Sequence, residues 1–296
     1  MRADLVLDAA CELAEGPVWE ADGARLWWTD IAGKAIHWLA PETGRGGVHA
    51  LPGRVGSFAL RRGGGLVLAM ERGFAAFDPE TGVVAGLCEP EADLSEHRFN
   101  DGRCDPAGRF LAGSMNETRR AATGRLWRLD ADGAATSVAD GVTIANGLAF
   151  SPDGRTMYWA DSPSGAVHAF DYDVATGRAS NRRAWLEAGA APGSPDGAAV
   201  DADGCYWSAR WGGGAVVRVT PDGRVDRTVA LPVSRVTMCA FGGPDLRTLY
   251  ITTAWEGMGD AERGREPLAG GLFAASPGVQ GLPEPFFEGL DGGIAR

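Results

Sequence analysis

Glu15, Asn100, Asn146 and Asp196 each stand eight residues before a turn glycine, namely Gly23, Gly108, Gly154 and Gly204. Two carboxylates and two carboxamides form an oxygen-donor set without histidine or cysteine. Such a set suits a hard divalent cation, since calcium takes about six to eight oxygens in loose geometry and magnesium or manganese also prefer oxygen. Two carboxylates brought together without a cation repel each other and lose hydration. Taken singly, each residue has a plainer reading. Asn100-Asp101-Gly102 is a turn sequence, because Asn and Asp side chains bond nearby backbone and glycine accepts positive φ. Asn146-Gly147 is a hairpin signal, but a hairpin there leaves only Leu148, Ala149 and Phe150 before the next turn. Recurrence at one position in four segments favours a shared site.

The elements that carry these residues repeat along the chain. The segments EGPVWEADG, VGSFALRRG, NDGRCDPAG, NGLAFSPDG and DGAAVDADG begin at residues 15, 55, 100, 146 and 196, with a looser copy, MCAFGGPDL, from Met238. After each turn comes a β-branched or aromatic run such as RLWWTD or TMYWAD, and then another strand closed by PETG, PDG or a relative. Short strands with turns at this spacing, and no sustained helical periodicity, indicate an all-β fold. Six copies roughly 40 to 50 residues apart, each of three to four strands, are the mark of propeller blades. One blade cannot bury both faces alone, so the copies must close into a ring. We therefore expect one six-bladed β-propeller domain over residues 1–296. Its inner strands would bring Glu15, Val55, Asn100, Asn146, Asp196 and approximately Met238 to one mouth of the central channel. A two-sheet sandwich offers no reason for six repeats.

Composition narrows the partners. The 296 residues carry a net charge of −11, which disfavours nucleic acid and anionic membrane surfaces. No apolar run approaches the roughly 18 residues of a membrane span, and the N-terminus lacks the apolar region of a secretory signal, so a cytoplasmic location is expected. Five scattered cysteines without a CxxC spacing read as buried reduced thiols, with a single disulfide as the alternative. A monomer is the default for a ring whose blade edges are covered.

The stretches AEGPVW (14–19), RFNDGRCDPAGRF (98–110), AGSM (112–115), ANGL (145–148), FDYDVATGRASNRR (170–183), SPDG (194–197), FGGPDLRTLY (241–250) and LAGGLF (268–273) span nearly the whole chain. In this order the chain resembles the regucalcin (senescence marker protein)/gluconolactonase family of metal-dependent lactonases. The resemblance implies a six-bladed propeller with one divalent ion at the channel mouth. Calcium stands first, with zinc, manganese, magnesium and iron(II) as alternatives. It implies Glu15, Asn146 and Asp196 as metal ligands, and Asn100 as a fourth ligand or a substrate contact. Arg98 would bind a substrate hydroxyl or carbonyl, and Glu117 falls near a polar substrate contact. The activity implied is hydrolysis of a sugar lactone to its aldonic acid. Asp196 is the candidate general base, with water activated at the ion as the alternative. A phosphotriester or other ester hydrolase on the same site, and a non-catalytic calcium- or sugar-binding propeller, are the competing readings.

Other chemistry finds less support. There is no GxSxG nucleophile elbow, and the glycine runs at 61–65 and 211–214 lack the GK[ST] of a phosphate loop. None of His37, His49, His97 and His168 has a histidine or cysteine at i+2 or i+4. His37 and His168 occupy matching strands and read as packing, whereas His97 adjoins the Arg98–Gly102 run and could line the mouth. Trp211 and Trp255 follow equivalent strands and could offer a stacking face to a sugar ring.

Overall fold

The computed structural model describes residues 1–118 and 121–290. Residues 119–120 and 291–296 of the domain expected over 1–296 lie outside them. Six four-stranded sheets succeed one another along the chain, and the protein is a six-bladed β-propeller. Blade one runs from Ala14–Glu20 to Arg45–Ala50, and blade two from Ser57–Leu60 to Val84–Cys88. Blade three spans His97–Cys104 to Ala135–Val142, and blade four Ala145–Phe150 to Arg178–Leu186. Blade five spans Ser194–Val200 to Val225–Ala230. Blade six contains Val236–Gly242, Thr248–Thr253 and Leu272–Ala275, completed by the N-terminal strand Asp4–Leu7.

That last pairing closes the ring. Asp4–Leu7 lies antiparallel to Leu272–Ala275, so the two ends of the chain share one sheet. The sequence reading assigned no strand to residues 4–7, because a single short, exposed strand carries no periodic signal. Among the described residues there is also one short α-helix, Asp260–Arg265, where the reading found no helix. Six residues are too few for a 3.6-residue period to show.

Burial falls steeply from the axis outward. His97–Cys104, an inner strand, is buried at every position, whereas the outermost strand of blade four, Arg178–Leu186, is largely exposed. Neighbouring blades join through aromatic contacts. Phe74 of blade two meets Phe99 of blade three at 4.9 Å between ring centroids. Tyr158 and Tyr206 join blades four and five at 5.2 Å, and Trp19 stacks on Tyr250 at 6.0 Å across the closure. Large rings suit such positions because they fill the wedge between twisted sheets. All five cysteines are free.

After blade six, the chain crosses the end of the ring where the inner strands finish. Gly281 N–H donates to Leu246 O, Ala202 N–H to Gln280 O, and Phe287 N–H to Leu60 O. Phe287 is fully buried with Phe74, Phe99 and Phe110. The opposite end, where the inner strands begin, stays open.

Near the axis the inner strands approach too closely for side chains. A Cβ on Gly197 would come within 2.6 Å of Met238 Cβ, and one on Gly56 would run into the Phe99 carbonyl and lie 2.7 Å from Asn100 O. Gly63, at an open turn, has no atom within 4 Å of such a Cβ. The Gly56→Ala protein should therefore lose about 2–3 kcal/mol in urea unfolding, while Gly63→Ala changes stability by less than about 0.5 kcal/mol. Equal stabilities of the two variants would rule out this account of the axis.

Candidate metal and substrate site

The open end holds a cavity of about 360 Å³ lined by Glu15, Arg98, Asn100, Asn146 and Asp196, with Ser162, Trp211 and Glu256 around them. Four inner strands, from blades one, three, four and five, deliver the five sequence-singled residues. Blade two presents Val55, which is fully buried among apolar side chains. In blade six the extra residue of the inner strand is Thr237, not Met238: Val236 pairs with Thr253 and Met238 with Thr252. Thr237 Oγ1 donates to Ala14 O at 2.5 Å, tying blade six to blade one, and Met238 packs on Gly197.

The four oxygen donors occupy two registers rather than one. Glu15 pairs with Thr29 and Asn146 with Ala160, each just before a β-bulge. Asn100 and Asp196 lie inside their bulges, which fall between Phe99 and Gly102 and between Pro195 and Ala198. The turns hide the slip. Glu20 pairs with Arg25 across residues 21–24, whereas Asp201 N–H reaches Cys205 O across 202–204. A bulge bends its strand and re-aims its side chains, and this lets all four residues line one cavity despite the one-residue offset. Gly16 and Gly147 take left-handed backbone, φ +57° and +62°, at the bulges beside Glu15 and Asn146. Glycine adopts that conformation at no steric cost, which explains why glycine follows these two residues.

A hydrogen-bond chain orients the amides. Ser162 Oγ donates to Pro195 O at 2.6 Å and so accepts from Asn146 Nδ2 at 2.8 Å. Asn146 Oδ1 is thereby turned toward Asn100, whose Nδ2 donates to it at 3.1 Å and to Ala145 O at 2.9 Å. Asn100 Oδ1 accepts from Arg98 Nη1 at 2.7 Å. Arg98 Nη1 also reaches Phe99 O at 2.9 Å, and Arg98 Nε lies 3.5 Å from Glu117 Oε1.

Glu117 does not line the cavity. Its carboxylate grips Arg54 in a fork of 2.6 and 3.0 Å, so it stands behind Arg98. His97 is buried between Glu91, at 3.1 Å, and Thr123, at 2.9 Å, also off the cavity. Trp211 is on the wall, whereas Trp255 packs under Arg263 and donates Nε1–H to Ala10 O.

The electrostatics are lopsided. Glu15 and Asp196 are buried, and burial, first of all, pushes both carboxyls well above the usual range. Asp196 raises Glu15 further, Asp101 raises both, and Arg98 draws both down. Asp101 was read as part of a turn. It is a buried carboxylate whose Oδ2 accepts Leu148 N–H at 2.8 Å and whose Oδ1 has no hydrogen-bond partner. Ser162 and Glu256 were also missed, and neither stands in a repeated segment, so no spacing marked them.

Residues 13–255 match the model of the family described as SMP-30/Gluconolactonase/LRE-like region. The chain is 41% identical to a 6-deoxy-6-sulfogluconolactonase from Pseudomonas putida, covering 94% of this chain and 95% of that protein. It is 40% identical to a pentonolactonase from Haloferax volcanii, covering 96% and 97%. The crystal structure of a calcium-binding protein, regucalcin, from Agrobacterium tumefaciens superimposes with a TM-score of 0.93 at 31% identity, covering 97% of each chain. With its six blades, its open cavity and these likenesses, the chain belongs to the SMP-30/gluconolactonase/LRE-like family.

Proposed function

We propose that the protein hydrolyses a sugar lactone, of the five- or six-carbon aldonolactone class, with the help of one divalent cation. The observation that carries this reading is the convergence of Glu15, Arg98, Asn100, Asn146 and Asp196 on one cavity. The names of the Pseudomonas and Haloferax relatives, both lactonases, support the reaction class, and that of the Agrobacterium neighbour supports calcium.

The residues fit a hard cation. Their donors are all oxygens, and Asn146 is held with Oδ1 free of its Ser162 contact. Burial and like charge favour the protonated forms of Glu15 and Asp196 more than Arg98 favours the ionised ones, which is the behaviour of buried carboxyls that a further cation would stabilise. Glu15, Asn146 and Asp196 would hold the ion. When bound, such an ion supplies Lewis acidity, polarising the lactone carbonyl and making water more acidic.

The chain's own residues supply the rest. Asp196 takes a proton from the attacking water on a carboxylate oxygen as the new C–O bond forms. It returns that proton to the ring oxygen as the ring C–O bond breaks, giving the hydroxy acid. Arg98, steadied by Phe99 O, Asn100 Oδ1 and Glu117, offers its remaining N–H groups to sugar hydroxyls or the carbonyl. Glu117 acts through Arg98 rather than on the substrate. Asn100 spends its amide on Arg98 and Asn146, which makes it a positioning group.

Acid release from a panel of aldonolactones, by metal-stripped protein with and without added calcium, manganese, zinc, magnesium or iron(II), tests the reading. Turnover should appear only with an ion. A flat response across the panel would shift the function toward another ester or toward binding alone. Asp196→Ala should lower kcat about 10²–10⁴-fold, and full activity in that variant would remove Asp196 from its role. Arg98→Ala should raise KM about tenfold or more on hydroxylated lactones.

The raised carboxyls also set a pH dependence. A group whose folded pKa is raised stabilises the fold below its unfolded pKa and loses that contribution as pH rises through the folded pKa. The urea midpoint of the metal-stripped wild type, relative to that of Glu15→Gln, should therefore fall as pH rises from about 4 toward neutrality. A saturating divalent ion should flatten that difference, and a pH-independent difference without metal would contradict the burial argument.

A further inference from the structure

Away from the cavity, Cys11, Asp30 and His37 bring a sulfur, a carboxylate oxygen and an imidazole nitrogen within 4.8 Å of one another. None of the three lines the cavity. Cys11 Sγ lies 3.8 Å from His37 Nε2. Tetrahedral zinc bonds of about 2.0–2.3 Å set ligand atoms about 3.3–3.8 Å apart, so the sulfur and the imidazole already stand at a fitting separation, and the carboxylate oxygen, within 4.8 Å of both, would close on the ion by about 1 Å or less. We propose that these residues form a second metal site, for a thiophilic divalent ion of the zinc class, with a water as fourth ligand.

The surroundings suit this use. Burial keeps the His37 imidazole below its usual pKa, so its lone pair is available at neutral pH. Asp30 is fixed by backbone donors: Oδ1 accepts from Leu13 and Gly33 N–H, and Oδ2 accepts from Glu12 N–H at 3.0 Å. Oδ2 therefore keeps a lone pair for an ion. Trp28 provides a second, independent sign. Its indole Nε1 is buried without a conventional hydrogen-bond partner, yet it lies close enough to the Cys11 sulfur to favour the thiolate. The indole ring also stacks on His37 at 5.2 Å between centroids. In the metal-free protein burial holds the thiol up to about 12. Ion binding thus releases one proton, the S–H bond giving way to a sulfur–metal bond.

The site's place in the fold gives it a consequence. Cys11 sits on residues 8–13, the strap from Asp4–Leu7 in blade six to Ala14–Glu20 in blade one. Its N–H donates to Gly270 O of blade six. Asp30 and His37 belong to blade one. An ion here would clamp the strap that closes the ring.

Cobalt(II) alone, titrated into metal-free full-length protein, provides the test, because thiolate–cobalt charge transfer absorbs in the near ultraviolet and the cavity is lined by no cysteine. One equivalent of such absorption is expected, retained in Asp196→Asn, lost in Cys11→Ser, and displaced by zinc. His37→Gln should weaken the binding at least tenfold. Zinc at about a hundredfold excess over its Kd should raise Tm by about 5 °C more in the wild type than in Cys11→Ser. Absence of the band in the wild type at saturating cobalt would overturn the proposal, as would the same band in Cys11→Ser. Should Cys11→Ser fail to fold, unchanged cobalt affinity in His37→Gln would overturn it as well.

Discussion

Glu15 and Asp196 are buried in one cavity, and the nearby Asp101 adds a third desolvated carboxyl whose charge is felt by both. Removing like charges from water and setting them near one another is unfavourable unless a cation or rigid packing offsets it. The rest of the propeller can be understood as the framework that tolerates this arrangement. Four inner strands from different blades converge on it, each paired with a largely buried second strand of its own blade. Arg98 supplies the local positive charge, and it is itself steadied by Asn100 and by Glu117, which Arg54 holds in turn. A site built from strands this rigid keeps its geometry whether or not an ion is present.

The framework depends on closure. Each blade buries its faces against its neighbours, so an open ring would expose two sheet faces and two unpaired edges. Asp4–Leu7 completes blade six, Thr237 bonds Ala14 across the seam, and Trp19 stacks on Tyr250 there. The chain after blade six then covers the far end of the channel, with Phe287 anchored among the aromatics of blades two and three. One end is sealed and the other is left for chemistry. Cys11, Asp30 and His37 lie beside the same seam, so a metal site there and the ring closure share one segment of chain.

Much of this was legible in the sequence. The repeated turn glycines gave the number of blades, and the polar residue eight positions before each glycine marked Glu15, Asn100, Asn146 and Asp196 as neighbours. Arg98, two residues before Asn100, followed from the family resemblance. The legible part rests on local regularities that a linear chain displays: period-two strands, turn chemistry, and a unit repeated often enough to align. The one-residue register slip was not legible, because a longer turn in blades one and four compensates for it within the same eight-residue count. Glu117 was drawn toward the substrate by its neighbourhood in sequence, but Arg54, 63 residues earlier, holds it back.

What the sequence by itself determined was therefore the architecture and the membership of the oxygen-rich ring, since both are written as repeats. Tertiary structure alone decided the direction in which each side chain points and which distant residues meet. Bulges aimed Asn100 and Asp196, and Ser162 turned the Asn146 amide. The strap that closes the ring, held by Gly270 O, set Cys11 against His37, 26 residues away. Such contacts arise where different blades and loops cross, and their geometry depends on twist and on backbone irregularity. No spacing along the chain encodes either, because both are settled only when the sheets pack against one another.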